Sequence, residues 1–149
     1  MRIYLDNCCY GRPFDDRTNE RVKFEAEATL YIREKIIANE FELATSFMIH
    51  YENSQKQNAR QRNDIEKFFK SYKTVHVGIE HIEELRESVR RIMNTGVKMK
   101  DAYHVASAIF AECDYFITVD KRLLNFRSEK IKIINPIEFC RAWSERDVE

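Results

Sequence analysis

The sequence predicts an α/β protein with a mostly parallel central sheet of four or five strands. Short β-branched or aromatic runs alternate with helix-length segments whose apolar residues recur at helical spacing, the pattern of repeated strand–helix units. Three Gly and two Pro in 149 residues leave little room for long loops or linkers. Hydrophobic residues make up 44%, enough at this length to bury one core, so residues 1–149 are read as a single domain.

Residues 2–5 (RIYL) read as the first strand, delivering Asp6 and Asn7 to its carboxyl end. GRPFDD at 11–16 is the main turn signal. Over residues 20–39, Val22, Phe24, Ala26, Ala28, Leu30, Tyr31, Ile36 and Ile37 suit an amphipathic helix. A second strand is predicted at 41–45. Ser46 is then placed to cap a helix carrying Phe47, Ile49, His50 and Glu52. The charged stretch 58–72 keeps Ile65, Phe68 and Phe69 on one side, as a partly exposed helix does.

A third strand follows at 74–77, then a helix over 79–94 with Ile82, Leu85, Val89, Ile92 and Met93 spaced toward a core. Gly96 suits a left-handed cap after it. Asp101 opens a helix whose Ala102, Val105, Ala106, Ala108, Ile109 and Cys113 share one face. Residues 115–119 form a buried strand ending at Asp120, and a short helix is predicted over 121–125. The last strand spans 131–134, and Pro136 opens a closing helix through Trp143.

Twenty-five basic residues balance twenty-five acidic ones, so bulk charge does not drive nucleic-acid binding, and any polyanion must meet a local basic rim. No run of the sequence is long and apolar enough to span a membrane, and no signal-peptide pattern opens it. Cys8, Cys9, Cys113 and Cys140 lack zinc-type spacing and read as reduced thiols of a cytoplasmic protein.

Asp6 and Asp120 fall at strand ends, while Glu52 and Asp101 fall early on helices. Sites in open α/β sheets form at such ends. Four carboxylates at one edge would repel one another unless protons or cations intervene. Hard divalent cations such as Mg²⁺ or Mn²⁺ take carboxylate and water ligands, activate water and stabilise charge in phosphodiester cleavage. The competing account of each single acid is a solvated cap. Arg12, Lys98, Lys100, Lys121 and Arg122 flank these acids and are candidates to hold the phosphates of a polyanion; their bland account is a mixed-charge surface. His104 and Tyr4 read as structural residues, and Cys8 as inert. There is no P-loop, dinucleotide glycine pattern, nucleophile elbow or zinc motif.

IYLDN at 3–7, the Glu52 helix, KDAYHVASA at 100–108 and FITVDKRLL at 116–124 together resemble the PIN-domain family. That resemblance covers nearly the whole chain. It implies a three-layer α/β/α fold and a metal-dependent ribonuclease, of the kind found as the toxin of VapC-type toxin–antitoxin pairs. It also implies Asp6, Glu52, Asp101 and Asp120 as the acidic Mg²⁺ or Mn²⁺ site, supported by Asn7 and Thr118. RNA as substrate, a small antitoxin as partner and a homodimer follow from the same likeness. Cys8-Cys9 with the GRPFDD turn, and the loose HYENSQ segment around Glu52, depart from the family pattern. The alternatives are a catalytically inactive RNA- or protein-binding module and a phosphoacceptor receiver domain. The receiver reading wants paired acids after the first strand, where Asp6 stands alone.

Overall fold

A computed structural model describes residues 1–147. In chain order the elements are β1 (Arg2–Leu5), α1 (Asn7–Gly11), α2 (Glu20–Ile37), β2 (Glu42–Ser46), α3 (Phe47–Ser54), α4 (Ala59–Tyr72), β3 (Lys73–Val77), α5 (Ile82–Met93), α6 (Met99–Phe110), β4 (Tyr115–Ile117), α7 (Lys121–Leu124), β5 (Lys132–Ile134) and α8 (Pro136–Asp147). Two 3₁₀ turns, Arg12–Phe14 and Ile79–His81, complete the set.

The strands pair in the order β3-β2-β1-β4-β5, and every neighbour runs parallel. Parallel sheets are covered on both faces, and the residues of β1 show why. Ile3, Tyr4 and Leu5 are all fully buried although alternate strand residues point to opposite faces. Tyr4 stacks on Phe116, its register partner, and reaches His104 of α6. Ile3 is paired with Tyr115, whose ring meets Phe139 of α8 edge-on. Helices α6 and α8 therefore lie on opposite faces, giving the expected three-layer α/β/α architecture.

Local chemistry explains most element ends. Ser46 Oγ accepts from Ile49 N at 3.3 Å and caps α3 as predicted. Gly96 closes the end of α5 with φ of 103°, a conformation that a side chain would strain. The segment after β1 differs from expectation. Asp6 caps a short helix, so the chain turns at once into α1 rather than running on to the GRPFDD turn. The predicted 79–94 helix divides into a 3₁₀ turn and α5, and β4 stops at Ile117.

The buried side chains form one cluster spanning both faces of the sheet. The four cysteines are free, and Cys9 and Cys113 are buried in that cluster. No described helix is long and apolar enough to cross a membrane.

Candidate active site

Chain order runs outward from β1 through β2 to β3, then returns to the other side of β1 for β4 and β5. The switch point thus lies between β1 and β4, where parallel α/β sheets open a crevice at their carboxyl ends. Asp6 follows β1 and Asp120 follows β4 at that crevice. The backbone ties the two strand ends, with Asp6 N donating to Ile117 O at 2.9 Å.

Thr118 joins the two acids. Its buried hydroxyl donates to Asp6 Oδ2 at 2.8 Å and accepts from Asp120 N at 3.0 Å. Asp6, only 5% exposed, also accepts from Asn7 N at Oδ1 and from the Cys8 thiol at Oδ2. Asp120 caps α7 through Arg122 N at 2.8 Å. Both carboxylates are thereby held in place at the strand ends by hydrogen bonds.

Asp101 sits in the first turn of α6, partly buried. Burial, then the negative fields of Asp6 and Asp120, push its carboxyl from 3.8 up to about 6, with Glu52 adding to them and His104 opposing. Burial and neighbouring acids both disfavour a charged carboxyl, and either a proton or a nearby cation offsets them.

Glu52 takes a different position. Its Oε1 accepts from His104 Nε2, and His104 is fully buried. Burial alone would raise the Glu52 carboxyl, but the His104 hydrogen bond and charge, with Lys100 and Lys56, hold it below its ordinary value. Burial would lower His104, yet the bond to Glu52 and the fields of Asp6, Glu52 and Asp101 raise it. Behind it, His104 Nδ1 lies 2.7 Å from Tyr4 Oη, which is 2.6 Å from Ser46 Oγ. An imidazolium donates at both nitrogens, so His104 donates through Nε2 to Glu52 and through Nδ1 to Tyr4 Oη, and the Tyr4 hydroxyl donates on to Ser46 Oγ. Removing the hydroxyl in Tyr4→Phe strips His104 and Ser46 of a buried partner. Urea denaturation should show a loss of about 1–3 kcal/mol.

The predicted basic residues divide. Lys98, Lys100, Lys121 and Arg122 are exposed around the acids, with Lys100 Nζ 5.3 Å from the Tyr51 ring centre. Arg12 does not join them. Its guanidinium bonds Glu25 Oε1 through Nε and Nη2 and Asp15 through Nη1, which engages it in a structural ion pair away from the acids. His104 is the buried, hydrogen-bonded histidine the sequence suggests, and its place three residues after Asp101 on α6 sets the two side chains together.

Among the described residues, no group of three or more His, Cys, Asp or Glu side chains stands ready to hold a metal ion. Asp6, Asp101 and Asp120 interact through space without forming a ready-made cage. That donor set suits an ion bound through one or two carboxylates that keeps several waters, as Mg²⁺ does. The amide oxygen of Asn7, buried without a donor, is a further spare acceptor next to Asp6 in the chain.

No protein-family profile and no curated protein sequence matches the chain. Among solved structures, its fold is similar to that of VapBC2 from Rickettsia felis bound to a DNA fragment from their promoter. Identity there is 13%, the TM-score 0.57, and the match covers 91% of this chain and 98% of that one. FitAcB from Neisseria gonorrhoeae gives 17% identity and a TM-score of 0.54, covering 90% and 97%. These likenesses are of fold. They correct the expectation of membership in the PIN-domain family with VapC-type ribonucleases: the motifs in 3–7, 100–108 and 116–124 satisfy no family profile, and 13–17% identity carries architecture only.

Proposed function

We propose that the chain is an endoribonuclease dependent on a divalent cation, hydrolysing RNA phosphodiester bonds at the edge formed by Asp6, Asp101 and Asp120. The observation that carries this reading is the placement of Asp6 and Asp120 at the switch point of the sheet, joined through Thr118, with Asp101 of α6 within reach of their fields. Asp6, Asp101 and Asp120 would hold the ion, and Mg²⁺ or Mn²⁺ there would supply water activation and charge for the phosphate.

The chain's own groups do the rest. Thr118 and the backbone of Asn7 keep Asp6 oriented, and Arg122 N keeps Asp120 oriented. Asp101 would have to lose its proton to serve as a ligand, as metal-binding carboxylates do. Glu52, anchored on His104, adds negative charge at the rim rather than a free ligand arm. Lys98, Lys100, Lys121 and Arg122 hold phosphates on either side of the scissile one. Unpaired RNA fits best, because its bases are open to side chains. We further place this activity in the toxin of a toxin–antitoxin pair, with a small protein partner; the fold likeness to VapBC2 and FitAcB supports that setting.

A second reading, a module that binds RNA or protein without cutting, draws on the absence of a three-ligand cluster among the described residues. Chelation separates the two. Cleavage of single-stranded RNA should stop in excess EDTA, return with Mg²⁺ or Mn²⁺, and leave 5′-phosphate and 3′-hydroxyl ends. Persistent cleavage in EDTA, or 2′,3′-cyclic phosphate products, would sink the hydrolytic reading. Binding without any cleavage would favour the module.

A further inference from the structure

A pocket of about 370 Å³ opens beside the acids, with Asp101 in its wall. The rest of the lining comes from the turn before α6 and from α7 with the segment after it. Three cations, Lys98, Arg122 and Arg127, share it with one acid. All three are exposed, and none pairs with a carboxylate among the described residues. Phe126 and Leu123 supply an apolar wall, and Phe126 is half-buried against the core. Arg127 and Phe126 carried no signal in the sequence, since neither neighbours an acid of the site.

We propose that this pocket binds one unpaired nucleotide of the RNA, the one directly next to the scissile phosphate. The inference rests on the proposed function for its substrate and adds where that substrate sits. The volume lies at the small end of the range for small-molecule sites, about 300–1,000 Å³, so it has room for a single nucleotide. The cations meet its phosphate, with Arg able to grip two oxygens at once. The Phe126 ring offers a stacking face for the base, which every base can use. Asp101, shared between pocket and acidic edge, sets the nucleotide one step from the bond that is cut.

The test uses the full chain in EDTA and adenosine 5′-monophosphate as probe. Amide resonances at 95–98 and 122–127 should shift on titration. In R122Q/R127Q, a fluorescent single-stranded oligoribonucleotide should bind at least tenfold more weakly. Phe126→Leu keeps an apolar wall without the ring, and should weaken binding of the nucleotide more than of inorganic phosphate. Shifts clustered elsewhere, or unchanged oligonucleotide affinity in R122Q/R127Q, would overturn the subsite even where the wild type cleaves RNA. Nucleotide bound in this pocket by a chain that cleaves nothing supports the subsite and overturns the proposed function.

Discussion

Asp101→Asn is expected to abolish RNA cleavage and, in the absence of metal, to make the protein more stable. The substitution keeps shape and removes ligand charge. Its cost to kcat should be on the order of 10²–10³-fold or more, the scale of losing one preorganised electrostatic contact at a reacting centre. The stability gain follows from the sign of the pKa shift. In the fold the carboxyl holds its proton up to about pH 6, against 3.8 for its ordinary value. Folding therefore takes up a proton between those values, and stability falls as pH rises through that window. At pH 7 the wild type carries this penalty in full, about 1–2 kcal/mol once solvent screening is allowed for. Asp101→Asn should recover it in EDTA, and the gain should fade toward pH 4. Mg²⁺ should narrow the difference, because a cation that binds only the folded wild type stabilises it alone. Urea denaturation across pH, with and without Mg²⁺, reads all of this. A variant that cleaves like the wild type, or that is less stable than it in EDTA, would remove Asp101 from the centre of the site.

That opposition between activity and stability marks where the sequence was legible. Asp6 and Asp120 were readable because a carboxylate directly after a short buried strand has few other places to go. Thr118 was reached only through a family resemblance, since a hydroxyl inside FITVD carries no periodic signal; its bridge between two acids exists only once β1 and β4 lie side by side. Helix α2 was located and its Ala26 and Ile36 are buried, but the rest of its inward face was misjudged. Phe24 and Ile37 are about half exposed, while Glu25, Thr29 and Ile32 face inward. Apolar residues lie all around this helix, so spacing alone could not choose the face. What settles it is largely tertiary: Arg12 comes from the turn after α1 and Asn135 from just before α8 to join Arg21 of α2 itself around a glutamate that burial would otherwise disfavour.

Glu25→Ala should cost about 3–5 kcal/mol, the range for removing one partner of a buried ion pair. Glu25 is fully buried. Oε1 accepts from Arg12 Nε and Nη2 at 3.1 and 2.9 Å; Oε2 accepts from Arg21 Nε at 3.3 Å and Asn135 Nδ2 at 2.8 Å. One carboxylate thus fastens α2 to the turn after α1 and to the junction of β5 and α8. Its loss leaves the Arg12 guanidinium, with a side chain 22% exposed, short of its main partner. Glu25→Gln keeps the shape and one good acceptor, and should lose less. Arg12→Ala should also destabilise, and the double variant should fall well short of the sum, because both single changes break the same contact. The cycle bears on function as well. Were Arg12 a phosphate ligand, Arg12→Ala would weaken oligoribonucleotide binding by the folded protein and leave the urea midpoint in place. The ion pair to Glu25 requires the reverse: a lower midpoint, with RNA affinity held by Lys98, Lys100, Lys121 and Arg122.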